Sequence, residues 1–208
     1  MKILLVAATD QEISSLRERI MQQPIKPSID FLVTGIGMVA TTYALTKKLQ
    51  EDRYDLVIAL GIAGAIDHRI SIGEVVCVDQ DEIYNFGVED GSQVLPFSAI
   101  GLDGDAVLKP LLPFSSSLVQ QLKWVKAVSV NTAHGNQQSI GKLVQRTEAS
   151  IEIMEGAAFF YVCNQEKVSC LHLRAISNRV ERRNRETWDI PLALDQLTTT
   201  AYSILNTL

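Results

Sequence analysis

Short, unbroken apolar runs alternate along this chain with stretches whose apolar residues recur every three or four positions. The first run, KILLVAA at residues 2–8, has the pattern of a strand buried on both faces. Ile13, Leu16 and Ile20 follow at helical spacing and predict an amphipathic helix. IDFLVTG (29–35) predicts a second strand and MVATTYALTKKL (38–49) a second helix. DLVIALGIAG (55–64) and GEVVCVD (73–79) read as further strands joined by Gly-containing turns. Between residues 82 and 117, frequent Gly, Pro and Ser predict loops and short elements. Regular patterning then returns. WVKAVSVN (124–131) is a strand, residues 139–146 a helix, ASIEIM (149–154) a strand and EGAAFFYVCNQE (155–166) a helix. VSCLHLRAIS (168–177) gives a last strand, and a closing helix starts near Pro191.

Strands alternating with helices predict an α/β fold whose parallel sheet is covered on both faces. No repeat, linker or low-complexity tract divides the chain, so residues 1–208 are expected to form a single domain. In open sheets of this kind ligands bind beyond the carboxyl ends of the strands. Those ends carry residues 9–12, 35–40, 61–64, 131–135, 154–155 and 177–188.

Composition narrows the class. The formal net charge of −5 opposes a nucleic-acid partner, whose footprint would be basic. No apolar run reaches the ~20 residues that span a bilayer, and the opening segment lacks signal-peptide form, so a cytoplasmic protein without a membrane partner is expected. Cys77, Cys163 and Cys170 lack disulfide or zinc spacing and are expected to pack as small hydrophobes.

Each polar residue at a strand exit admits two readings. GIGMVA at residues 35–40 fits the glycine pattern of dinucleotide sites, but it follows the second strand and no acid ends the next one, which favours a tight turn. Glu12 closes a capping box with Thr9, and a carboxylate there is also placed to act as a general base. Glu155 can complement a helix dipole or accept hydrogen bonds from two hydroxyls. Arg174 inside an apolar strand requires a carboxylate partner, with Glu12 and Glu155 the economical choices. His172 is expected to be structural, and neither His68 nor His134 has metal-ligand spacing. Arg179, Arg182, Arg183 and Arg185 form either a solvated loop or a partner for a substrate anion. Asn178 can cap the following turn or present an uncharged amide to a ligand.

GIGMVATTYAL, LGIAGAI, SIGEVV, IMEGAAFFYVC and LRAISN, in this order, resemble the nucleoside phosphorylase / nucleosidase superfamily over nearly the whole chain. NFGVEDG and RAISNRVERRNRETWDIPLAL are most similar to its futalosine hydrolases, which release hypoxanthine from futalosine in menaquinone biosynthesis. The resemblance implies a three-layer αβα fold around a central, mostly parallel mixed sheet, a nucleoside substrate, no metal or cofactor, and a homo-oligomer. It implies catalytic roles for Glu12 (activating water), Arg174 (ordering the water and its carboxylate) and Asn178 (binding the purine). It further implies that Glu155 holds the ribose hydroxyls, next to Met154, and that Gly64 lines the sugar pocket. Ile62 and Ile153 stand where adenine-releasing relatives carry a serine and a glutamate, and Ala133 or His134 where they carry an aromatic. An adenine-releasing nucleosidase or a non-catalytic nucleotide-binding module are the alternatives. An Asn at 178 suits a 6-oxopurine leaving group, which an Asp would oppose. The acidic exit ATDQE (8–12) disfavours phosphate as the nucleophile and leaves water.

Overall fold

The computed structural model describes residues 1–208. In chain order it contains β1 (Lys2–Ala7), α1 (Ser14–Gln22), β2 (Ser28–Val33), α2 (Met38–Glu51), β3 (Leu56–Ala65) and β4 (Val75–Ile83). The short pieces β5 (Val88–Asp90), β6 (Gln93–Leu95), β7 (Val107–Leu108) and α3 (Ser117–Gln120) fill the loosely patterned region. β8 (Lys123–Ser129), α4 (Gln137–Arg146), β9 (Ile151–Ile153), α5 (Gly156–Gln165), β10 (Cys170–Arg179) and α6 (Ile190–Leu205) complete it. No helix is long and apolar enough to cross a membrane.

From Ile3 onward β1 is apolar because each of its faces meets a different layer. Ile3, Leu5 and Ala7 point into a core shared with Ile13, just ahead of α1, with Leu16 of α1 and with Ala193, Leu197 and Ala201 of α6. Leu4 and Val6 point the other way, to Leu45 of α2 and to Phe159, Phe160 and Val162 of α5. A third, smaller cluster packs Ile140 and Leu143 of α4 against Val128, Val130 and Val180. The three cysteines are free and buried, each packed as a small hydrophobe.

The sheet is mixed and mostly parallel, and it does more than lie flat between helices. β2, β1, β3 and β10 run parallel in that spatial order. β10 then pairs antiparallel with β4, β4 runs parallel to β8, and β8 to β9. β9 returns to pair antiparallel with β3 at Gly64 and Ala65. Five strands therefore close into a ring, and the carboxyl ends of β3, β9 and β10 meet at one mouth. This closure depends on pairings between distant segments, and the alternation of runs does not announce it.

Close approach inside the ring demands Gly156 at the start of α5. A Cβ there would strike Asp81 Oδ2 and lie 2.5 Å from Ile153 Cδ1 and 2.6 Å from His172 Cε1. All three neighbours are themselves buried and cannot swing away. Gly156→Ala is expected to destabilise the fold by about 3 kcal/mol, as overpacked cores do. For a chain of this size that is a fall in Tm of roughly 6–12 °C. A melting curve that leaves Tm unchanged would show that the helix start can shift to accept the methyl group.

Candidate active site

The mouth of the ring opens into a cavity of about 460 Å³, within the range of small-molecule sites. Glu12, Ile62, Gly64, Met154, Glu155 and Asn178 all border it. So does Ile153, although its side chain packs into the core beside Phe159 and Phe160. Arg174 lies beneath the cavity floor and joins two of its acids from below. The site residues expected from the sequence are thus gathered at one place.

Glu12 makes the cap expected from the sequence and also borders the cavity. Its Oε2 accepts from the Thr9 N–H and the Thr9 hydroxyl, each at 3.0 Å, which is the capping interaction. The turn at Asp10–Glu12 is a single 3-10 turn ahead of α1, where the sequence predicts the first turn of a helix. The other oxygen, Oε1, accepts from the Ile62 N–H at 3.1 Å, across from β1 to the end of β3. The carboxylate is thereby held still at the cavity wall.

Glu155 precedes α5 but does not cap it with its side chain. Its Oε1 accepts from the Gly37 N–H at 3.0 Å. Gly37 has φ +91°, a conformation other residues adopt at a cost, so the second glycine of GIGMVA serves to aim one N–H at this acid. The motif is a turn that grips Glu155, which settles the choice in favour of the turn.

Between the two acids sits Arg174, 3% exposed. Its Nη1 is 4.0 Å from Glu12 Oε1 and its Nη2 3.5 Å from Glu155 Oε2. These are long ion pairs, and the firm bond is made elsewhere. Nε donates to His172 Nε2 at 2.8 Å. The imidazole must therefore accept at Nε2, and burial followed by the nearby Arg174 charge holds its pKa well below the ordinary value. His172 is structural, as expected, clamped between the rings of Phe159 and Phe160. Gly61 makes room for the arrangement, because a Cβ there would overlap the Arg174 guanidinium and come within 2.8 Å of Glu12 Oε1.

A bulge aims Asn178. The register of β10 on β3 shifts between Ile176 and Asn178, leaving Ser177 over and setting Asn178 opposite Gly64. Asn178 Nδ2 donates to the Arg179 carbonyl at 2.9 Å, and Oδ1 accepts from the Ser177 hydroxyl at 2.8 Å. A carbonyl can only accept, so the amide cannot be turned round. One N–H of Nδ2 is left over at the cavity. The side chain does not cap the following turn.

The arginine cluster divides. Arg179 donates to the His68 and Ile70 carbonyls, away from the cavity. Arg182 and Arg185 are exposed and do not border it. Arg183 does border it, with its guanidinium 5.2 Å above the Trp188 ring. Backbone bonds from Arg183 to Gly135 and from Asp189 to Ser177 hold this loop over the cavity, and Trp188 joins the lining.

Two acids are absent from the sequence-derived set. Glu152 borders the cavity and is bound at both oxygens by His134, through its N–H at 2.9 Å and its Nδ1. Strand alternation was the available signal, since it puts Glu152 on the same face as Met154. Asp81 is fully buried beneath the floor, and neither of its oxygens makes a hydrogen bond of normal geometry, although Ser129 lies nearby. Burial outweighs the opposing pull of Ser129 and Arg174 and pushes it up to about 7.

Comparison with known proteins agrees with this architecture. The family model described as the phosphorylase superfamily matches residues 2–208. A futalosine hydrolase of Acidothermus cellulolyticus is 32% identical over 177 residues, covering 81% of this chain and 71% of that protein. One of Thermus thermophilus is 30% identical over 175 residues, covering 80% and 76%. Among solved structures, futalosine hydrolase of Helicobacter pylori superposes with a TM-score of 0.81 at 19% identity, over 100% of this chain and 98% of that one. The methylthioadenosine/S-adenosylhomocysteine nucleosidase of the same organism gives 0.83 at 19%, over 100% and 99%, and at that identity the likeness speaks for the fold alone. With the family model spanning residues 2–208 and two curated relatives at 30% identity or more over four-fifths of the chain, the chain belongs to the phosphorylase superfamily and, within it, to the futalosine hydrolases.

Proposed function

We propose that this chain is an N-glycosyl hydrolase that cleaves futalosine to hypoxanthine and dehypoxanthine futalosine, a step of menaquinone biosynthesis. The observation that carries the reading is the fixed amide of Asn178. Its spare N–H faces a cavity whose floor holds Glu12 and Glu155 on either side of Arg174. Breaking a glycosidic bond to a purine builds positive charge on the sugar and negative charge on the base, and the site offers something to each.

In this reading Glu12 takes a proton from water as the water oxygen bonds to C1′. The C1′–N bond breaks, its electron pair leaves with the purine, and solvent supplies the proton that neutralises the base. Glu155 accepts from the ribose hydroxyls with the lone pairs not engaged by Gly37, next to Met154, Gly64 and Ile62. Arg174 touches no reacting atom and is a positioning residue that keeps the two carboxylates apart and oriented. Asn178 donates to N7 or O6 of the departing base.

Water fits better than phosphate as the nucleophile. The N–H groups at the exits of β1 and β3, which could cradle an anion, are already taken by Glu12. Futalosine carries a carboxylate beyond the sugar, and the position of Arg183 at the cavity border supports it, rather than Arg179, Arg182 or Arg185, as the partner of that anion. Exposed Val39 and Tyr43 on α2, with Ile36 at the cavity rim, support assembly as a homo-oligomer.

Incubation with futalosine, inosine and methylthioadenosine, followed by assay of free base, tests the reading. Hypoxanthine from futalosine is expected. Adenine from methylthioadenosine alone would point to an adenine nucleosidase, and no free base with tight ligand binding to a non-catalytic module.

A further inference from the structure

One buried acid at the cavity has no part in that chemistry. Glu152 is 7% exposed, and His134 binds both of its oxygens. Each carboxylate oxygen has two lone pairs, so this pairing uses half of the acceptor capacity. The direction of the remainder follows from strand pairing. Glu152 sits opposite Gly64 on the neighbouring strand, and paired residues project to the same side. A Cβ on Gly64 would come within 3.3 Å of Asn178 Nδ2, so that side is the Asn178 side. Gly64 has no side chain to separate them, and Glu152 and Asn178 border one cavity from adjoining strands.

The two groups are chemically opposite. Asn178 presents an N–H that the Arg179 carbonyl and Ser177 hydroxyl prevent from turning. Glu152 presents its free lone pairs as acceptors, and His134 holds both of its oxygens. A donor beside an acceptor matches the lactam edge of a 6-oxopurine, where O6 accepts and N1–H donates. The same pair opposes a 6-aminopurine, whose N1 accepts.

We propose that Glu152 is a specificity-determining residue that accepts the N1–H of a 6-oxopurine while Asn178 donates to its O6. The proposal rests on the purine nucleosidase reading but names an edge of the base that the reading does not. His134, in this account, is the residue that holds Glu152 in position.

Base binding alone provides the test, since it requires no turnover. Calorimetric titration with hypoxanthine and with 1-methylhypoxanthine, which lacks the N1–H, is expected to favour hypoxanthine by roughly tenfold to a hundredfold, the worth of one charge-assisted hydrogen bond. Glu152→Gln keeps an oxygen for the His134 N–H and is expected to reduce that ratio to near one. A wild-type protein that binds the two bases equally, or neither, overturns the proposal. A Glu152→Gln protein that keeps the wild-type ratio also overturns it, because the methyl group is then excluded by shape. Should the variant fail to fold, 1-deazahypoxanthine replaces it: a C–H stands for the N1–H at unchanged size, and binding as tight as that of hypoxanthine overturns the proposal. Hypoxanthine preference without release of base from futalosine would instead sink the hydrolase reading and leave this one standing.

Discussion

Glu12→Gln is expected to lower kcat for futalosine by about 10²–10⁴-fold, the loss that follows removal of a positioned general base. KM should change little, because the substitution keeps size and the proposed sugar contacts belong to Glu155, Met154 and Gly64. The loss has a structural component as well. Both oxygens of Glu12 are acceptors, one for Thr9 and one for Ile62. An amide must turn its NH₂ toward one of these donors, leaving a mismatch that costs about 1–3 kcal/mol. Neutralising this acid also removes one of the two charges flanking the buried Arg174. A thermal melt beside the kinetics separates these effects: a modest fall in Tm is expected with the large fall in kcat. A variant that keeps more than about a tenth of wild-type kcat would mean that another group activates the water.

The strands and helices were legible because most are long enough for their apolar pattern to have a clear period. The corners of the site were legible for a second reason, since parallel strands bring their carboxyl ends together and the polar residues just past them are few. What escaped was set by contacts between distant segments. Glu152 sits in a run that reads as apolar, and its importance depends on His134 and on the pairing of β9 with Gly64. Asp81 lies in the acidic stretch DQDE and looks like a surface residue until the ring of strands closes over it. The four arginines of the loop were indistinguishable by spacing. The carbonyls of His68 and Ile70, more than 100 positions earlier in the chain, draw Arg179 away, while Gly135 holds the backbone of Arg183 at the cavity. Competing local readings also proved compatible: the capping box of Glu12 is the device that fixes its carboxylate at the site.

Asn178→Asp is expected to cut kcat/KM for futalosine by about 10²-fold or more, the effect of losing one donor aimed at developing charge. Its 6-amino counterpart, aminodeoxyfutalosine, should lose far less. The reason lies in the two neighbours that fix the amide. The atom facing the Arg179 carbonyl at 2.9 Å must be a donor. In the variant this is possible only for a protonated carboxyl, whose single proton is then spent on that carbonyl. The other oxygen remains an acceptor for the Ser177 hydroxyl. No donor is left for the cavity, and a 6-oxopurine meets an oxygen where it needs an N–H. A 6-aminopurine can give its own N–H to that oxygen, which compensates the loss. The ratio of kcat/KM values for the two substrates is the quantity to measure, because it cancels any general damage to the fold. Equal losses on both would show that position 178 supports the bulge of β10 without reading the base.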